Sequence, residues 1–149
     1  MDTNVVRGGL RSRRRPEYHC LGFVGRGWVV PLATPALFLE YEEVLLRPET
    51  LEATGLTQAD VDTLLTAIAA VVEPVMVDID WRPLLLDPDD DMVANCAINA
   101  LADYVVTGNV RDLILVEQRF GIRVVTPGAF VEDVRRVFQP DRGGDGFEE

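Results

Sequence analysis

The chain has 149 residues, 48% of them hydrophobic and 26% charged, a length and balance that suit one globular domain with a single core. No apolar run reaches the roughly 18 residues of a membrane helix, and the amino end lacks a signal-peptide pattern, so a cytoplasmic location with no membrane partner is expected. The net charge of −11 argues at first against a nucleic-acid partner, and a lone histidine, His19, excludes histidine-rich metal sites and disfavours a Ser-His-Asp triad.

The chain opens Met1-Asp2-Thr3-Asn4, an acid and an amide two residues apart with almost nothing before them. All fourteen basic residues are arginine, and Arg7, Arg11, Arg13, Arg14 and Arg15 fall in the first fifteen positions. Two readings stand. Codon bias plus a solvated loop over Arg11–Arg15 is slightly favoured by composition; the other is a local phosphate clamp, since guanidinium groups bind phosphate oxygens bidentately. A helix is predicted over Pro16–Phe23, ended by Gly25 and Gly27, and Trp28–Ala33 is an apolar run of strand length.

Thr34-Pro35 is an N-cap followed by proline at the first helical position. The helix after it places Leu37, Phe38, Tyr41, Val44 and Leu45 on one face, with Glu40 and Glu42 flanking it and Glu43 pointing away, and Arg47-Pro48 closes it. Thr57 caps a helix carrying Val61, Leu64, Leu65, Ile68, Val71 and Val72; Pro74 ends it, and Val75–Ile79 reads as a short strand. The acids Asp87, Asp89, Asp90 and Asp91 open the next helix, which is expected to bury Met92, Val93, Cys96, Ala97, Ala100 and Leu101. Its other side carries Asp91, Asn95 and Asn99.

Tyr104–Val106 is a strand ending in Thr107-Gly108-Asn109. A short amphipathic helix over Arg111–Phe120 leads to the strand Ile122–Val125. Thr126-Pro127 then starts a last helix expected to bury Phe130, Val131, Val134, Val137 and Phe138. Cys20 and Cys96 lie in apolar helical patterns without metal-ligand spacing and read as reduced core thiols. Residues 140–149 are glycine-rich and acidic and are expected to form a disordered tail behind a domain of residues 1–139. Strands alternating with helices imply an α/β fold with a parallel sheet covered on both faces.

In such a sheet, functional groups gather beyond the carboxyl ends of the strands. Four places fit: Asp2 to Asn4, Glu40, Asp87 to Asp91, and Thr107 to Asn109. Crowded acids repel one another unless a cation joins them, and hard divalent ions take oxygen ligands of this kind. Each place also has an ordinary reading as a disordered terminus or helix cap, a solvated glutamate run, a set of N-caps and a turn. Their recurrence at strand-to-helix junctions favours a shared site.

These segments, in this order, resemble the PIN-domain family, the metal-dependent ribonuclease fold that includes VapC-like toxins. The matching stretches are Asp2-Thr3-Asn4-Val5, Thr34 to Leu45, Asp87-Pro88-Asp89-Asp90, Val105 to Asn109 and Gly121 to Pro127. Within the family the nearest likeness is to toxin components of toxin–antitoxin systems. The resemblance implies a three-layer sandwich around a five-stranded parallel sheet of order 3-2-1-4-5, with the strand of Asp2 at the centre. It also implies that Asp2, Glu40 and Asp90 hold Mg²⁺ or Mn²⁺, with Asn4, Thr107 and Asn109 in support and Asp112 in reserve. A ribonuclease reading adds Arg11, Arg13, Arg14 and Arg15 as RNA contacts. RNA, a cognate antitoxin protein and a second copy in a homodimer are the partners implied.

The chain departs from the family pattern twice. Asn109 stands where relatives carry a fourth acid, which lowers the site's negative charge and disfavours a second metal. Met1 alone precedes the first aspartate, which leaves the first strand truncated, and residues upstream in the native gene are expected. Both departures keep open a degenerate PIN-like domain that binds RNA or protein without cutting. A phosphatase of the haloacid dehalogenase type ranks well behind, because it needs an aspartate where this chain has Asn4.

Overall fold

In the computed structural model, which describes residues 1–140, helices and short strands alternate as an α/β fold. The elements are α1 (Thr3–Arg11), α2 (Pro16–Gly25), β1 (Leu32–Ala33), α3 (Pro35–Leu45), α4 (Pro48–Thr54) and α5 (Gln58–Val71). β2 (Glu73–Pro74), α6 (Pro88–Ala100), β3 (Tyr104–Val106), α7 (Val110–Phe120), β4 (Arg123–Val125) and α8 (Pro127–Phe138) follow. The tail expected over residues 140–149 lies, from residue 141 onward, outside the described residues. Among the described residues no helix is long and apolar enough to cross a membrane.

Helix starts are written in local chemistry. The Thr34 and Thr126 hydroxyls accept from the N–H groups of Leu37 and Ala129, at 3.1 and 3.2 Å, with proline next in each case. Thr57 and Asp60 form a reciprocal capping box at the start of α5. Asp87 caps α6 through the Asp89 N–H at 2.9 Å.

The strands form two parallel pairs, β1 with β2 and β3 with β4, rather than one continuous five-stranded sheet. Residues 1 and 2 approach β3, where the Asp2 N–H donates to Val106 O at 2.9 Å. β3 divides the core by the two-residue period of a strand. Val105 belongs to a large cluster with Leu37, Tyr41, Leu45, Val93, Cys96 and Leu113. Val106 belongs to a smaller one with Val5, Cys20, Phe23, Phe130 and Val134. Cys20 and Cys96 are buried and free, as expected, and burial pushes the Cys20 thiol up to about 12, which leaves it inert at neutral pH.

Several expectations are corrected. Residues 3–11 are helical, so Arg7 and Arg11 lie on α1 and the turn between helices holds only Arg13, Arg14 and Arg15. The arginines and glycines of α1 mask its period, while Val5 and Val6 enter the two core clusters. Gly8 and Gly9 let α1 lie close on α2: a Cβ on Gly9 would stand 2.6 Å from Leu21 Cδ1 and 2.9 Å from Glu17 O. The strand expected over Trp28–Ala33 is confined to Leu32 and Ala33, after Pro31, which has no N–H to pair.

The strand expected over Val75–Ile79 is absent. Pairing ends after Glu73 and Pro74, and the chain beyond is held by side chains of α6. Pro48 does more than close α3, since it also starts the unforeseen helix α4. Leu101, Val137 and Phe138, expected in the core, are instead 84%, 71% and 46% exposed. All three border a cavity of about 520 Å³ between β1 and β3.

Candidate active site

Asp2 stands at the N-cap of α1, yet its side chain does not cap that helix. Instead its Oδ2 accepts from the Thr107 hydroxyl at 2.8 Å, and both side chains are buried. Thr107 Oγ1 in turn accepts from the Asn109 N–H at 3.0 Å. The hydroxyl therefore links the end of β3, the start of α7 and the first acid of the chain. Tyr41 on α3 donates its hydroxyl to Met1 O, which fixes the backbone just before Asp2. Two elements thus hold Asp2, one through its side chain and one through its neighbour's carbonyl.

Asp90 lies in the first turn of α6, half-buried. Burial comes first in pushing its carboxyl up to about 6, followed by repulsion from Asp2, Asp87, Asp112 and Asp89. Glu40 is also raised, by burial and then by Asp89 and Glu43. These couplings draw Asp2, Asp90 and Asp112 into one electrostatic neighbourhood, with Glu40 joined to it through Asp89. Asp89 has therefore more electrostatic weight in this region than its sequence position suggested. Asn4 is exposed on the first turn of α1, and Asn109 is exposed at the N-cap of α7 with no side-chain capping bond.

Asp91 takes a different part. It is buried, and its Oδ1 accepts from the Leu84 and Leu85 N–H groups at 3.2 and 2.8 Å. Asn95 Oδ1 accepts from the Trp81 N–H, and Asn99 Oδ1 from those of Asp78 and Ile79. Spaced four residues apart on one face of α6, these three side chains clamp the segment 78–85. Sequence reading placed them on one side of the helix without assigning this work, and their i, i+4, i+8 spacing was the available signal.

Arg13, Arg14 and Arg15 are exposed in the α1–α2 turn, and the backbone N–H of Arg14 donates to Ser12 Oγ at 3.2 Å. Together with Arg11 they stand at the far end of α1 from Asp2, about 14 Å along the axis at 1.5 Å per residue.

The donors around Asp90 are hard carboxylate oxygens, the chemistry that suits a small divalent cation, and their mutual repulsion is what such a cation relieves. Among the described residues no group of three or more His, Cys, Asp or Glu side chains is drawn together closely enough to hold a metal ion. The acids share a field without forming a finished ligand shell.

A search of curated proteins and a search of solved structures each found no match. A family model described as PIN domain matches residues 1–111, from Met1 to the second residue of α7, and so takes in Asp2, Glu40, Asp90, Thr107 and Asn109. The chain belongs to the PIN-domain family, a family of nuclease type whose members generally use divalent metal ions.

Proposed function

We propose that this protein is a metal-dependent ribonuclease that hydrolyses phosphodiester bonds in RNA, and that it serves as the VapC-like toxin of a toxin–antitoxin pair. The observation that carries the nuclease reading is Asp90, lifted to about 6 by burial and by Asp2, Asp87, Asp112 and Asp89. Crowding of that kind suits a cation site. The toxin role rests on the order of the family motifs alone.

Asp2, Glu40 and Asp90 would hold one Mg²⁺ or Mn²⁺, and the ion would supply a more acidic bound water and stabilise charge on a phosphoryl oxygen. Thr107 orients Asp2 by donating to Oδ2, which leaves the other carboxylate oxygen free of that bond. Asp90 must shed its proton to serve as a ligand. Asp112 adds negative charge on the side where Asn109 replaces an acid. Arg11, Arg13, Arg14 and Arg15 would hold backbone phosphates at a distance from the cut.

Asp90→Asn is expected to lower metal-stimulated cleavage of single-stranded RNA at least about 100-fold while the protein stays folded. Undiminished cleavage by that variant would sink the assignment. A second reading, a binding module without catalysis, draws support from Asn109 and from the open spacing of the acids. Titration of Mn²⁺ into the protein and into Asp90→Asn separates the two, since a pure binding module takes up no ion in an Asp90-dependent way.

A further inference from the structure

The α1–α2 pair is a basic region on an acidic molecule. Between residues 3 and 25 the chain has five arginines and a single acid, Glu17. Glu17 is turned onto α1, where its Oε1 would stand 3.2 Å from a Cβ on Gly8. Among the described residues Arg7, Arg11, Arg13, Arg14 and Arg15 form no ion pair, whereas Arg47, Arg82, Arg123 and Arg136 each do. The turn that displays them is ordered by Ser12. Its Oγ accepts from the Arg14 N–H at 3.2 Å, and its carbonyl from the Arg15 N–H at 3.3 Å.

An aromatic ring stands beside this charge. Arg15 O accepts from the Tyr18 N–H at 3.1 Å, which closes the first turn of α2 and sets the two residues three apart on one side of the helix. Tyr18 is 39% exposed, in contrast to Cys20 and Phe23, which fill the core side of the same helix. A long side chain on a helix leans toward the helix start, which here is the arginine turn. His19 meets the Tyr18 ring at 5.8 Å between centroids with the planes at 74°, an edge contact that leaves at least one face of the ring clear. Among the described residues no guanidinium lies over that ring, although Trp28, Phe120 and Tyr104 each carry one. Gly22, one turn further on, is exposed, and a Cβ there would meet nothing within 4 Å.

Guanidinium groups beside a clear aromatic face are the parts of a single-strand site. Arginine takes phosphate oxygens, and the ring takes the flat face that every base offers. A duplex keeps its bases stacked on one another and presents none. An acidic peptide would satisfy the arginines and leave the ring unused, so ring and charge together favour a nucleic-acid strand.

We propose that Tyr18 stacks an unpaired base of single-stranded RNA while Arg14 and Arg15 hold the phosphates on either side of it. The α1–α2 turn then selects single strands over duplexes and grips the chain at the far end of α1 from Asp2. The proposal rests on the RNA reading above, and its test is binding with chelator present, where nothing is cut.

The full chain is titrated against a labelled single-stranded RNA of about 12 nucleotides and against an abasic oligomer of equal length, which keeps the phosphates and lacks the bases. Tyr18→Ala is expected to weaken binding to the RNA at least about fivefold and to leave binding to the abasic oligomer unchanged. The slope of log K against log salt should stay the same in Tyr18→Ala and flatten by about 0.7 in Arg15→Ala, because only the second gives up a phosphate. Tyr18→Phe should bind as the parent does. Tyr18→Leu keeps apolar bulk without the ring face, should show the same loss as Tyr18→Ala, and serves if that variant fails to fold. Equal RNA affinity in the parent and these two variants, or an equal loss on the abasic oligomer, overturns the proposal. So does a poly-glutamate peptide whose binding depends as strongly on Tyr18, since the face then belongs to an acidic protein. The nuclease reading is judged apart from this. Asp90-dependent cleavage with Tyr18-independent binding removes this proposal alone, and Tyr18-dependent binding without Asp90-dependent cleavage upholds it and removes the nuclease reading alone.

Discussion

At the scale of the residue, Asp90 combines crowding with partial burial. Its carboxyl is raised from 3.8 to about 6, so between about pH 4 and pH 6 the folded protein binds more protons than the unfolded one. Stability contributed by the protonated form is complete below about pH 4 and is lost as pH rises through 6. With chelator present, Asp90→Asn should therefore melt near the parent at pH 4 and above it at pH 7. The gain is at most about 1 kcal/mol, because the group is partly exposed and solvent screens it. A melting difference that stays constant across this range would count against the crowding. Asp2, Glu40 and Asp90 stood out in the sequence because acids at strand-to-helix junctions follow an order that the chain preserves. Asp89 did not stand out, since sequence spacing says nothing about which carboxylates of α6 share space with Glu40 on α3.

At the scale of the element, α6 serves two tasks with two faces. Its first turn presents Asp90 to the other acids, while Asp91, Asn95 and Asn99 hold segment 78–85 by accepting backbone N–H bonds. Residues 75–79, which lead into that segment, were read as a strand, and Val75, Val77 and Ile79 do alternate there. Alternation predicts pairing only where a partner edge exists, and here amide side chains satisfy the backbone instead. Asn99→Ala removes the acceptor shared by the Asp78 and Ile79 N–H groups. It should cost about 1 kcal/mol, or about 2–4 °C in Tm, with faster amide exchange at those two positions as the local sign. A loss of stability spread evenly over the chain, with Asp78 and Ile79 unaffected, would refute the clamp. Helix starts at Thr34, Thr57, Asp87 and Thr126 were legible because capping is local chemistry. α1 was not, because two glycines and two arginines leave it few apolar positions to reveal a period.

At the scale of the whole molecule, a net charge of −11 coexists with an all-arginine basic set whose densest run is at the α1–α2 turn. If RNA is held by Arg11, Arg13, Arg14 and Arg15, affinity depends on a few phosphates only. The slope of log K against log salt for single-stranded RNA should then be no steeper than about −3, at roughly −0.7 per phosphate. Measured on the non-cleaving Asp90→Asn chain, Arg13→Ala with Arg14→Ala should flatten it by about 1.4. An unchanged slope would remove the turn from the binding surface. The α/β class was legible from alternating periodicities, whereas the division into two strand pairs was not, because periodicity does not say which strands are neighbours. Leu101, Val137 and Phe138 obey the helical pattern and still meet solvent, because they stand at the ends of α6 and α8, where periodicity does not say how far the packing reaches.

The close approach of α1 to α2 has a consequence for how this chain can change over generations. At Gly8 the nearest atom to an added methyl is the end of the Glu17 side chain, 3.2 Å away, which can swing aside. At Gly9 it meets Leu21 and, at 2.9 Å, a backbone carbonyl that cannot. Adjacent and alike in the sequence, the two glycines face unequal histories: position 8 is open to drift. Position 9 is closed to it, since the least of all replacements would pry α1, and with it the acid at its start, away from the body that holds it.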